Sequence, residues 1–167
     1  MATPTTLPAA FTSGAVLTST QMNNLRGAFR IMQVVWGNYS VQTISSSATF
    51  ADTGLTASIT PSSTSSKILV IVTQAGFLKN TGTSDNACNL KLVRGATDLS
   101  LLSEIGKTNS NILNIVGSAS ITYLDSPATT SATTYKTQFA SHLGAANGAF
   151  VQYNNNTSNL ILMEVSA

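Results

Sequence analysis

The chain has 167 residues, and only 8% of them are charged, against about 25% in an ordinary soluble domain. Eight basic and six acidic residues give a net charge of +2, and the basic residues form no cluster, which argues against a nucleic-acid partner. Because Ser, Thr, Asn and Gly replace the missing charge, the composition favours a surface that packs against other subunits. A robust extracellular β protein with little need for charge is the alternative interpretation.

Residues 1–17 are predicted to form an extended arm, because Pro4 and Pro8 lie there among Thr and Ala residues. Such an arm is either disordered or laid along a partner, and the sequence is compatible with both.

A short helix is predicted after the arm. Thr18 and Gln21 fit a capping box. The apolar residues that follow have the 3, 4, 3, 4 spacing of heptad a and d positions: Met22, Leu25, Phe29, Met32 and Trp36. This helix either packs around an oligomer axis or a scaffold, or lies against its own β domain. Its end is open, since residues 31–36 also suit an extended segment. We therefore divide the chain into an attachment arm with a short helix, residues 1–36, and a β domain, residues 37–167.

The remainder of the chain is predicted to be all-β. Short alternating or apolar segments are separated by Gly-, Asn-, Asp- and Pro-containing turns, and no helix pattern lies between them. This spacing is typical of an antiparallel, jelly-roll-like sandwich. The predicted strands are residues 39–46, 49–59, 67–77, 87–93, 99–104, 112–123, 133–141, 149–153 and 159–165.

Two apolar runs, residues 68–72 and 160–165, are expected to form the middle of the core as strands buried on both faces. The Ser/Thr-rich loop 61–66 is expected to turn the strand before it back onto the first run. Glu164 is a charge inside the second run. It either pairs with a Lys or Arg at a subunit contact or points outward at the strand end.

No catalytic constellation is recognisable in the sequence, and we predict that the protein is not an enzyme. His142 is the only histidine, and we expect an ordinary surface or interface residue there. The acids Asp52, Asp85 and Asp125 lie in turn signals, so no pair resembles the two carboxylates of a glycosidase. Cys88 is the only cysteine, which excludes an internal disulfide, and we expect it to be small, buried and apolar.

No metal site, cofactor site or membrane span is expected either. Cys and His residues with metal-ligand spacing are absent from the sequence, and no apolar run reaches the length of a membrane span. The N-terminal residues lack the basic region and apolar core of a signal peptide. We expect synthesis in a cytoplasm, with no membrane partner.

Four segments carry a resemblance to a known class of proteins. The segment FADTGLTASITPSSTSSKILV (residues 50–70) resembles one that recurs in bacteriophage virion-surface proteins, including tail fibres and head decoration proteins. The segments YLDSPATTSATTY (residues 123–135) and NLILMEV (residues 159–165) are similar to others in such proteins. The start, FTSGAVLTSTQMNNLR (residues 11–26), looks like their N-terminal attachment segment.

This resemblance implies a trimeric jelly-roll head, similar to the tumour-necrosis-factor and complement-component type, on a segment that fixes it to a particle. The expected function is decoration and stabilisation of a capsid exterior, with a major capsid protein or another virion protein as partner. Capsid attachment is assigned to Leu7, Phe11, Val16 and Leu17, and trimer or helix packing to the heptad set. The alternative is the receptor-binding head of a tail fibre or tailspike, with loops 82–86 or 144–148 contacting host glycan.

Overall fold

The structure, a computed structural model, describes residues 31–80, 83–109, 114–146 and 148–166, together with Gly14, Val16, Thr18 and Ser19. This part of the chain is all-β, with antiparallel pairing throughout. A 3₁₀ turn, Tyr153–Asn155, precedes the last strand. The strands are β1 (Ile31–Tyr39), β2 (Thr43–Ser45), β3 (Ala51–Ile59), β4 (Lys67–Lys79), β5 (Cys88–Arg94), β6 (Thr97–Ile105), β7 (Ile115–Asp125), β8 (Thr133–Ser141), β9 (Ala149–Val151) and β10 (Ser158–Val165).

The strands form two sheets that enclose one core. The front sheet has the order β1-β10-β4-β9-β2, with β7 paired to β4, and the back sheet has the order β3-β8-β5-β6. Among the strands described, only β5 and β6 are consecutive in the chain and hydrogen-bonded to each other. Most other connections therefore carry the chain from one sheet to the other.

The core lies between the central strands of the two sheets. Inward-facing residues of β4 and β10 meet residues of β3, β5 and β8 with almost no exposed surface, and burial of each such side chain contributes about 1.5–3 kcal/mol. They include Ile68, Val70, Val72, Leu160 and Leu162 from the front sheet and Leu55, Ile59, Leu90, Leu92 and Phe139 from the back sheet.

A chain of neutral polar side chains crosses this core. The hydroxyls of Thr53 and Thr137 lie 2.6 Å apart, and Thr137 Oγ1 donates to Gln74 Oε1 at 2.9 Å. Gln74 Nε2 in turn donates to Ser158 Oγ at 2.9 Å. Because unpaired polar atoms are costly in the core, these bonds fix the position of one sheet relative to the other.

Each predicted strand overlaps an observed one, but three expectations were wrong. Met32 and Trp36 are not heptad positions of a helix: residues 32–36 are extended, the alternative left open for the helix end, and the predicted boundary at residue 36 falls inside β1. The rest of the heptad set, Met22, Leu25 and Phe29, lies outside the described residues. Loop 61–66 does not turn β3 back onto β4; it carries the chain from the back sheet to the front sheet.

The third wrong expectation concerns Glu164, which neither points outward nor pairs with a cation in the described part of the chain. Its side chain faces inward and the residue has 0% exposure. The carboxylate accepts hydrogen bonds from Gln33 Nε2 at 2.6 Å, Ser62 N at 2.7 Å and Ser62 Oγ at 2.6 Å. Burial would raise the pKa of Glu164, but the bonds from Ser62, Gln33 and Ser66 outweigh it and lower the pKa to about 2.

This carboxylate should make folding stability depend on pH in the acid range. Since the folded-state pKa lies below the ordinary value of 4.5, its stabilising effect is complete above pH 4.5 and is lost as pH falls towards 2. We expect Glu164→Gln to lower the free energy of unfolding at neutral pH by about 1–3 kcal/mol. Urea denaturation between pH 2 and 7 tests this. The variant and the parent should converge at low pH, and a constant difference between them would contradict the assignment.

Candidate assembly face

The outer surface of the front sheet carries two cross-strand rows of side chains. The register aligns Val34, Met163, Leu69 and Leu124 across β1, β10, β4 and β7. The next row aligns Trp36, Ile161, Ile71 and Thr122. Since paired residues in an antiparallel sheet point to the same side, these side chains form one continuous surface. We call these eight residues the front face.

The front face is apolar and open to solvent. Val34 is 56% exposed, Trp36 62% and Leu124 59%, and the four apolar residues of β4 and β10 are half-buried. Met32, 48% exposed, extends the same surface along β1. Monomeric soluble proteins rarely expose apolar patches larger than a few hundred Å², so a surface of this kind marks an interaction site.

The outer surface of the back sheet is different in character. Lys136 pairs with Asp52 at 2.9 Å, and Lys91 pairs with Asp98 at 2.9 Å while lying 4.6 Å from the centroid of the Phe50 ring. Surface ion pairs such as these contribute little to folding stability, but they indicate that the outer surface of the back sheet is suited to contact with water. Among the described residues, Lys67 is the one charged side chain at the margin of the front-sheet surface, and its Nζ donates to Ser126 Oγ.

The margin of the front face beside Trp36 is polar and uncharged. Trp36 Nε1 donates to Asn159 Oδ1 at 3.2 Å, which joins the indole to β10. The row beyond it aligns Asn38, Asn159, Thr73 and Ser120. An apolar centre with a neutral hydrogen-bonding rim is the usual anatomy of a protein interface.

The sequence found two members of this surface, Met32 and Trp36, but assigned them to a helix. Val16, one of the predicted attachment residues, is described and is 91% exposed, whereas Leu7, Phe11 and Leu17 lie outside the described residues. The remaining apolar members of the front face were missed as a site. The signal is present in the sequence, because both solid apolar runs contribute to the face, but such runs are also typical of strands buried on both sides. Within the chain, β4 and β10 are fully buried on their inner side only.

The described residues of the two loops considered for glycan contact, 83–86, 144–146 and Gly148, lie at the end of the sandwich where β4 ends; we call this the distal end. Asn86, which is fully buried, joins them: its Nδ2 donates to Gly148 O at 3.1 Å. Its Oδ1 accepts from Ser141 Oγ at 3.1 Å and from Leu143 N at 2.9 Å. One side chain therefore holds both loops in a fixed relation.

The polar residues near the distal end suit surface packing better than catalysis. His142 Nε2 lies 3.4 Å from Glu104 Oε1, which also pairs with Lys107 at 2.9 Å. The Lys107 hydrogen bond lowers the pKa of Glu104. Burial raises the pKa of the Cys88 thiol, so it is a poor nucleophile, and the residue is 1% exposed, as expected. Within the described ranges, no three His, Cys, Asp or Glu residues are placed to hold a metal ion.

Comparison with known proteins gives no assignment. No protein-family model matches this sequence, and no curated protein matches it. In the part of the chain that the structure describes, no helix has the length and hydrophobicity needed to span a bilayer. The front face and the two ends of the sandwich are therefore the features from which a function can be inferred.

Trp36 is the only tryptophan in the chain, so its fluorescence reports directly on the front face. If the face is covered on self-association, we expect emission to move to shorter wavelength and acrylamide quenching to fall as protein concentration rises. Light scattering on the same samples gives the oligomeric state. An oligomer whose Trp36 stays as quenchable as that of the dilute protein would show that another surface forms the contact.

Proposed function

We propose that this protein is a structural component of a bacteriophage virion, a homotrimer that decorates and stabilises the capsid exterior. The observation that carries the proposal is the front face, an apolar surface across four strands with a polar rim and nothing in the described chain to cover it. In the proposed trimer the front faces pack against neighbouring copies and the back sheets face solvent.

The strand connections support a jelly-roll fold, which this proposal requires. Front-sheet neighbours β1, β10, β4 and β7 and back-sheet neighbours β3, β8, β5 and β6 form two four-stranded layers. The chain passes between layers at β3–β4, β4–β5, β6–β7 and β7–β8. Crossing between two antiparallel layers in this manner is typical of a jelly roll, with β2 and β9 as a short addition at the distal end of β4.

The two ends of the sandwich suit a protein that is attached at one end. Strand β1 begins, and β10 ends, where β4 begins; we call this the proximal end. Residues 1–30 therefore join the domain there, on the side opposite to the distal loops. The 13 residues of β4 separate the two ends by about 40 Å. In the proposal, the N-terminal segment docks on the capsid and the distal loops face outward.

The proposed mechanism is burial of apolar surface between subunits, with no catalysed reaction. Each apolar side chain removed from water stabilises the assembled state by about 25 cal/mol per Å² of covered surface. A protein that binds the closed shell and not the opened one stabilises the closed shell by mass action. The low charge of the chain fits this role, because few ions need to be desolvated when subunits meet.

The direct test is to count copies of this chain per virion by quantitative mass spectrometry against the major capsid protein. Decoration predicts copies in proportion to capsid subunits, hundreds on a typical shell. A handful of copies would place the protein at the tail or a unique vertex. Absence from purified particles would overturn the proposal.

A pair of matched variants tests the role of the front face. Val34→Glu and Leu101→Glu each place a carboxylate at a similarly exposed position, 56% and 58%, on the front and back sheets respectively. We expect Val34→Glu to weaken trimer formation about 30-fold or more, because a buried unpaired charge costs about 2 kcal/mol or more per contact. Leu101→Glu should trimerise as the parent does. Sedimentation equilibrium measures both, and equal behaviour of the two variants would contradict the proposed interface.

A second function, recognition of host surface glycan, is favoured by one observation: Asn86 holds both distal loops rigidly. Pre-organised loops lose little conformational entropy on binding. This function predicts that Asn86→Ala reduces adsorption of phage to host cells while copy number per particle is unchanged. Unaltered adsorption would leave decoration as the sole role.

A further inference from the structure

A groove at the proximal end contains Arg94, a cation held by a partly buried ion pair. Arg94 Nη1 donates to both carboxylate oxygens of Asp125, at 2.8 and 2.7 Å. Tyr135, which has 0% exposure, donates from its hydroxyl to Asp125 Oδ2 at 2.6 Å. Burial and this bond raise the pKa of Tyr135, so the hydroxyl remains a donor. Tyr135 thus positions Asp125, and Asp125 holds the guanidinium in place.

The two bonds to Asp125 use one nitrogen of the guanidinium, since both come from Nη1. The Arg94 side chain is 26% exposed and lines the groove, so it is open to a ligand there. A guanidinium edge with two parallel N–H groups matches the two oxygens of a carboxylate.

The groove in front of Arg94 has room for a small group. Its volume is about 340 Å³. Its walls come from the β5–β6 turn and the β7–β8 loop, and they combine hydroxyls with small apolar surfaces. The lining residues besides Arg94 are Gly95, Pro127, Thr129, Ala132, Thr133 and Thr134. Gly95 has φ of +55° with open space at its missing Cβ, which leaves this side of the groove clear.

The charge around the groove favours an acidic occupant. Lys67 lies beside the same loop and is bonded to the neutral Ser126 hydroxyl. Asp125 is already bonded to Arg94, and Glu164 is buried among neutral donors. Residues 1–30, which join the domain at this end, contain Arg26 and Arg30 and no acid, so they cannot supply a side-chain carboxylate.

We propose that the Arg94 groove binds the side-chain carboxylate of an acidic peptide segment on the protein surface to which this chain docks. A peptide is favoured because the groove lies at the end where the attachment segment joins, and this choice of partner rests on the proposed function. The carboxylate bridges Nε and Nη2 of Arg94, and the aliphatic part of the acidic side chain lies against Pro127 and Ala132.

The test is an NMR titration of the isolated full-length protein with blocked Gly-Glu-Gly and Gly-Gln-Gly peptides. The Glu peptide should shift the amide signals of Gly95 and Thr133 and the Nε–H signal of Arg94, and the Gln peptide should not. Arg94→Lys keeps the charge facing Asp125 but loses the two parallel N–H groups, so the affinity for the Glu peptide should fall about tenfold or more. Lys107→Gln, which removes a cation at the distal end, is the matched control and should bind as the parent does. Thermal unfolding verifies that each variant is folded.

Two results would overturn the proposal: equal shifts with the Glu and Gln peptides, or none with either. Titration with glucuronic acid separates the source of the carboxylate. Localised shifts with the sugar acid and none with the Glu peptide would show that the occupant is an acidic saccharide and not a peptide. Because no particle is used, the outcome is independent of the virion copy number, so failure here and failure of the proposed function are distinguishable.

Discussion

The structure depends on one constraint: strands β4 and β10 are apolar on both sides, but the sandwich supplies only one covering layer. Their inward residues pack on the back sheet, whereas Leu69, Ile71, Ile161 and Met163 face outward with no layer above them in the described chain. A sheet with two apolar sides is satisfied only between two layers. In the proposed trimer, further copies of the same surface supply the second layer.

Most of the fold could be predicted from the sequence, because alternation and turn residues are local signals. Residues 133–141 alternate as expected, with Tyr135 and Phe139 buried. The error in β1 also has a local cause: residues 32 and 36 are four apart, a spacing that places them on one side of either a helix or a strand. Val34, between them, fits only the strand. The sheet crossing at loop 61–66, the Asn86 contacts and the Arg94 groove join residues distant in sequence, and no local pattern encodes them.

The low number of charged residues is also reflected in the interior, where the hydrogen-bond networks consist mostly of neutral groups. Glu164 is stabilised as an anion by a carboxamide and hydroxyl and amide donors, and the chain from Thr53 to Ser158 joins the sheets through neutral groups alone. Such networks fix geometry without placing ions in the core, where desolvation would offset much of their attraction. The same preference for neutral polar groups produces the rim of the front face, so one compositional bias serves both folding and assembly.

The remaining charges occupy the places that stay in water if the front face is covered. The pairs Lys136–Asp52 and Lys91–Asp98 lie on the back sheet, and Glu104, Lys107 and His142 lie near the distal end. Arg94 and Lys67 lie at the proximal end, beside the point where the N-terminal segment joins. This distribution fits the proposed assembly, in which the front face is covered and the back sheet stays in water.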